Sequence, residues 1–147
     1  MKWLIPPVLV VICVVLMIVL SIVWPIAVIA PAPFNLLGIV LIVAGAVLGA
    51  SGSRMFVRMK NNLNTFKEPG KLVTDGVFQY TRNPMYLSMV LMLAGVWIFL
   101  GVLSPVLCLL LFIIVADRWY IPYEENLLAA KFGSEYATYQ TRTRRWI

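Results

Sequence analysis

Between Lys2 and Arg54 the chain carries no charged residue. At ~1.5 Å of rise per residue, about 20 apolar residues cross the ~30 Å hydrocarbon core of a bilayer. This stretch therefore holds two crossings, joined by residues 25–33, a tight connection that contains Pro25, Pro31 and Pro33. Two more apolar runs follow at 85–100 and 106–119, separated by an uncharged turn at 101–105. The whole sequence is 62% hydrophobic with a mean hydropathy of +0.93, far above a soluble globular domain. The expectation is an all-α integral membrane protein of one domain. It has four transmembrane helices at about 3–24, 34–53, 85–100 and 106–119, a cytosolic loop at 54–84, and a cytosolic C-terminal helical segment within 120–147.

The placement of charge orients these spans. All twelve Lys and Arg residues lie at Lys2, in the 54–82 loop, or from Arg118 onward. The 25–33 and 101–105 turns hold none. By the positive-inside bias both termini are cytoplasmic, with the bacterial inner membrane as the expected location. The basic residues of the loop read as topology signals and contacts to anionic membrane lipid; no nucleic-acid partner is expected. A cleaved signal peptide ending near Ala30-Pro31-Ala32 is the rival reading of the first run. Its apolar length exceeds the ~7–15 residues of a signal h-region, so a retained helix is expected. The fourth run is short: its 14 residues reach only ~21 Å, which suggests a tilted hairpin with the third. Asp117 and Arg118 at its polar end read as a local pair. Gly45 and Gly49 form a GxxxG pair, read first as close packing within the chain and second as the face of a homodimer.

Several chemistries are excluded by composition. The sequence has no His and only two cysteines, Cys13 and Cys108, both inside apolar runs. No His-based metal site, disulfide framework or zinc spacing follows, and no metal is expected. The first three spans carry no acidic residue, whereas a proton-coupled transporter needs an ionisable group at mid-membrane. There is no Walker motif, dinucleotide fingerprint or nucleophile elbow.

Two polar clusters remain. In the first, LVTDGVFQYTRNPMY at 72–86, a turn-rich loop gives way to a membrane helix. Asn83 suits the cap and Pro84 the first helical position. Arg82 sits beside a helix N-terminus whose free N–H groups and partial positive charge favour anions. In the second, Tyr123-Glu124-Glu125 opens a helix expected to run through Phe132 and to stop at Gly133. Adjacent residues point about 100° apart on a helix, so one of Glu124 and Glu125 is expected to enter a pocket, Glu125 by preference. Tyr136, Tyr139, Arg142, Arg144, Arg145 and Trp146 form a basic-aromatic segment of the kind that lies on a membrane interface. If the two clusters meet, they offer a guanidinium for a carboxylate, carboxylates for hydroxyls or an ammonium, and rings for a heterocycle. Methyl transfer suits that inventory, because it needs mainly the alignment of an activated donor with an acceptor.

The block Gly76-x-Phe78-x-x-x-Arg82-Asn83-Pro84-x-Tyr86 is followed by Glu124-Glu125-x-x-Leu128-x-x-x-Phe132-Gly133-x-x-Tyr136-x-x-Tyr139. Together they resemble the integral-membrane isoprenylcysteine carboxyl methyltransferase and phospholipid methyltransferase group, in its bacterial branch. The resemblance covers about 65–147. It implies an S-adenosylmethionine-dependent methyltransferase acting on a lipophilic or amphiphilic acceptor that enters from the bilayer. By the same resemblance Arg82 and Glu125 are the catalytic candidates. Asn83, Tyr86, Glu124, Glu125 and Tyr136 are the cofactor-binding candidates, while Tyr139 and Arg142 read as structural. Many relatives carry His where this chain has Asn83, which cannot titrate near neutrality. A carboxylate, amine or thiol acceptor all stay open. A non-catalytic scaffold that keeps the fold, or a small transporter, are the alternatives.

Overall fold

The computed structural model describes residues 5–58 and 70–147. The basic residues Lys2, Lys60 and Lys67 and the stretch 64–66 before the first block lie outside that range. Six α-helices account for most of the described chain: α1 (Pro6–Val23), α2 (Leu37–Arg58), α3 (Pro84–Leu100), α4 (Val106–Val115), α5 (Ile121–Phe132) and α6 (Ser134–Arg142). No strand occurs among the described residues; one isolated antiparallel bridge joins Val28 to Val102. Three helical stretches, Pro6–Val23, Phe34–Arg58 and Val106–Phe132, are long and apolar enough to cross a membrane, and Pro84–Leu100 is a shorter apolar helix. Valines on their outer faces, such as Val11, Val40 and Val47, stay more than half exposed. That is the pattern of helices solvated by lipid rather than by water.

Helix α3 is the central element and packs against α1, α2 and α4. Leu9, Cys13 and Met17 of α1 recur every four residues and are buried with Leu93 of α3 and Cys108, Leu109 and Phe112 of α4. The α2–α3 seam is closer, because glycines line it. A Cβ added to Gly45 would stand 2.7 Å from the Ser88 carbonyl oxygen, and one on Gly95 would stand 2.8 Å from the Ile42 amide nitrogen. Gly49 faces the Ser88 side chain in the same way. The face formed by Gly45 and Gly49 is thus occupied by α3 of the same chain. The small residues there serve backbone approach within the chain, the first of the two readings.

At one end of the helices the two uncharged turns meet. The N–H of Ile29 donates to the Gly101 carbonyl at 2.8 Å, and that of Leu103 to Ala27 at 2.8 Å. Trp97 Nε1 donates to the Val102 carbonyl at 3.0 Å. Gly101 closes α3 with φ +72°, a left-handed conformation that favours glycine. These pairings satisfy exposed backbone groups without any charged residue.

At the other end the helices outlast the expected spans. Helix α2 runs to Arg58 rather than stopping near Ser53. The fourth helix does not end at Trp119: after α4 it widens into a π-turn at Ala116–Tyr120 and passes directly into α5. Charge marks where a helix leaves lipid, not where its hydrogen bonds end. Pro122 has no N–H to complete the α-ladder, and the wider π spacing occurs directly before it.

Candidate functional site

The first block forms a compact corner. Gly76 opens a short 3-10 turn, Gly76–Gln79, with φ +58°, and an added Cβ there would stand 2.6 Å from Met55 Sδ. The backbone conformation calls for glycine here, whereas the Met55 thioether is the flexible end of a side chain and can move aside. Phe78 is buried against Phe56 of α2, with ring centroids 5.4 Å apart. The chain then reaches the start of α3. Pro84 takes the first helical position, as expected, and Asn83 is the cap residue by backbone geometry. Its side chain makes no capping bond. The carboxamide instead donates from Nδ2 to the Arg145 carbonyl at 3.0 Å. That corrects the side-chain cap: the amide is turned to donate to a tertiary partner, and its oxygen accepts no first-turn N–H.

Arg82 is engaged on every side but one. Its backbone N–H donates to the Arg144 carbonyl at 2.9 Å. Nη1 donates to the carbonyls of Thr143 at 2.6 Å and Gln140 at 3.2 Å. Nη2 meets Glu125 Oε1 at 3.0 Å. Nε is buried and has no hydrogen-bond partner among the described residues. Glu125 is held from the opposite side by Arg145, whose Nη2 lies 2.6 Å from Oε2 and whose Nε lies 3.4 Å from Oε1. Arg145 Nη1 also reaches Asp117 Oδ1 at 3.5 Å, and Trp146 Nε1 donates to the same oxygen at 3.0 Å. The local Asp117–Arg118 pair exists too, but is longer at 3.8 Å and exposed on the arginine side. Hydrogen bonding to Glu125 raises the affinity of Arg145 for its proton further.

Glu124 lies half-buried beside this cluster and accepts the Tyr86 hydroxyl at 2.9 Å. The Tyr86 ring stacks on Tyr120 with centroids 6.3 Å apart. Tyr136 and Tyr139 are buried rather than spread on a membrane surface. Tyr139 donates to the Phe78 carbonyl at 2.6 Å, which fastens α6 to the first block. Burial, then the neighbouring Tyr136, push the Tyr139 phenol up to about 12. Burial, then the Glu125 carboxylate, raise that of Tyr136.

These groups surround a cavity of about 160 Å³. All six residues singled out in the sequence, Arg82, Asn83, Tyr86, Glu124, Glu125 and Tyr136, line it. Both carboxylates do so, which corrects the expectation that only one would enter. Along the helix they diverge as predicted, one towards the Arg82–Arg145 pair and one towards Tyr86. Apolar walls come from Pro6 and Pro7 at the start of α1 and from Met89 and Leu128. Lys71 is the other cation along the lining.

Arg145 and Asp117 were not legible as parts of this site. Arg145 sits in a basic run that reads as an interfacial charge, and Asp117 beside an obvious partner. The one usable signal was that Asp117 and Glu125 lie on one continuous helix whose partner had to come from elsewhere.

Residues 34–135 match the phospholipid methyltransferase family. Over 63 residues the chain is 40% identical to an uncharacterised protein of Haemophilus influenzae, covering 43% of this chain and all of that one. Over 110 residues it is 31% identical to protein-S-isoprenylcysteine O-methyltransferase B of Arabidopsis thaliana, covering 71% of this chain and 54% of the plant enzyme. The chain thus spans about half of the plant enzyme's length. No solved structure matches. Both sequence blocks and their meeting at one cavity accord with these likenesses, and the chain belongs to the phospholipid methyltransferase family.

Proposed function

We propose that the cavity at the start of α3 binds S-adenosylmethionine, and that the protein transfers its methyl group to a lipophilic acceptor. The observation that carries this reading is the single cavity lined by Arg82, Asn83, Tyr86, Glu124, Glu125 and Tyr136. The donor set fits the cofactor. Arg82 Nε is a buried donor with no hydrogen-bond partner among the described residues, and it stands beside a helix N-terminus; together these suit a carboxylate. Glu124 has lone pairs beyond the one that accepts Tyr86 and suits ribose hydroxyls. The apolar walls suit a heterocycle. When bound, the cofactor supplies a methyl group already activated on a sulfonium.

The residues of this chain then supply alignment. Arg82 holds the carboxylate end, Tyr86 orients Glu124, and Tyr136 closes the side wall. Glu125 already accepts bonds from two guanidinium groups; its oxygens are engaged in holding Arg82 in place rather than turned to an acceptor. An acceptor that reacts as an anion, a carboxylate or a thiolate, therefore suits the site better than a protonated amine. The apolar lining from α1 and α3 gives such an acceptor a path from the bilayer. The charge bias supports a reading with four spans, α3 as the third, and with the cavity and both termini on the cytoplasmic side of the inner membrane.

Calorimetry of S-adenosylhomocysteine binding to the detergent-purified protein tests this reading. Saturable binding that weakens in Glu124→Gln is expected. No binding to a folded wild-type protein would refute it and leave a scaffold that keeps the family's fold.

A further inference from the structure

Residues 143–146 follow closely on the second block but lie far along the chain from the first, and they fasten the two together. Their backbone accepts four bonds from residues 81–83, one of them from Arg82 Nη1 to the Thr143 carbonyl at 2.6 Å. The Arg144 carbonyl accepts from Arg82 N–H, and the Arg145 carbonyl accepts from Asn83 Nδ2 at 3.0 Å and from Thr81 Oγ1 at 3.2 Å. The side chain of Arg145 then reaches the other way, to Glu125 at 2.6 Å and Asp117 at 3.5 Å on the fourth helix.

The π-turn makes the second reach feasible. Asp117 and Glu125 are eight residues apart. Eight steps of about 100° in a regular α-helix would leave them about 80° apart around the axis. A π-turn absorbs one extra residue, so the separation behaves as seven steps and falls to about 20°. Both carboxylates then face one guanidinium. That fork is planar, with donors spaced to serve two acceptors at once.

We propose that Arg145 is a positioning residue of the cavity: with the π-turn at Ala116–Tyr120, it clamps Glu125 and so sets the position of the Arg82 guanidinium. Arg145 is not among the residues that line the cavity; it acts through Glu125. Its effect on ligand binding rests on the cofactor reading above, whereas the clamp itself does not.

The test uses the full-length protein in detergent, with Arg145→Gln, Arg145→Lys, Glu125→Gln and the Arg145→Gln/Glu125→Gln double variant. Two quantities are read: S-adenosylhomocysteine affinity by calorimetry, and amide exchange at 81–83 by mass spectrometry. Arg145→Gln is expected to weaken binding roughly tenfold, the coupling typical of one ion-pair network. It should also speed exchange at 81–83. Arg145→Lys should recover part of the affinity, and Arg145→Gln should have little further effect in the Glu125→Gln background. A change under twofold, or effects that simply add in the double variant, would overturn the proposal. If the wild type binds no ligand, the cofactor reading fails by itself. Exchange then decides the clamp: faster exchange in Arg145→Gln upholds it, and unchanged exchange overturns it.

Discussion

Glu124 and Glu125 are neighbours that line one cavity, yet neutralising them should have opposite consequences. The Glu125 side chain is 11% exposed and faces Arg82, itself 12% exposed. In Glu125→Gln the carbonyl oxygen can serve one guanidinium, while the new NH₂ group points its donors at the other. Removing one partner of a buried ion pair costs ~3–5 kcal/mol, because a charge is left without compensation. Arg145 is 38% exposed on its side chain, so water can take up part of that loss, and about 2–3 kcal/mol is expected. At Glu124 the replacement amide can still accept the Tyr86 hydroxyl, so weakening that bond is expected to cost under ~1 kcal/mol of stability. Thermal melts of both variants in the same detergent provide the assay, paired with S-adenosylhomocysteine titrations. Glu125→Gln should melt well below the wild type, whereas Glu124→Gln should melt near it and bind at least about tenfold more weakly, the loss of ~1.4 kcal/mol. If Glu125→Gln melts with the wild type, the Arg82–Glu125–Arg145 cluster is not a structural linchpin and the division of roles is wrong.

The α2–α3 seam makes a sharp steric contrast. Gly95→Ala places a methyl group against the Ile42 backbone at 2.8 Å, while at Gly52 the nearest atom is Met85 Cγ at 3.5 Å. Overpacking of that kind costs ~1–3 kcal/mol, so Gly95→Ala should lower the melting temperature and Gly52→Ala should not; equal melts would count against the seam. Alkaline pH probes Tyr139. Its phenol is neutral in the fold and its pKa is raised from 10.0 to about 12, so its contribution is complete below pH ~10 and is lost as pH rises through ~12, about 2–3 kcal/mol in all. Melts between pH 8 and pH 12 should show this fall, and Tyr139→Phe should show less of it. Asn83→Ala removes the donor to the Arg145 carbonyl and should cost ~1–2 kcal/mol; no change in stability or in exchange at 143–146 would mean that this bond contributes nothing.

The membrane class, the apolar runs, the uncharged turns and the two blocks follow from the sequence alone. Each is a local property: hydropathy over about 20 residues, charge beside a run, or a motif whose spacing is short. Pro84 at the first turn of α3, Gly101 and Gly76 in left-handed turns, and Gly133 after α5 are legible for the same reason, since backbone conformation is restricted residue by residue. Tertiary structure alone decided the partners. Asn83 turns its amide to donate to Arg145 instead of accepting from its own helix, Gly45 meets Ser88, and Glu125 divides its oxygens between Arg82 and Arg145. These contacts join residues 20 to 62 positions apart, and no local pattern encodes them. The π-turn is the clearest case. One additional residue in a helix leaves almost no mark on hydropathy, yet it rotates everything beyond it by about 100°. That rotation determines which carboxylates Arg145 can reach.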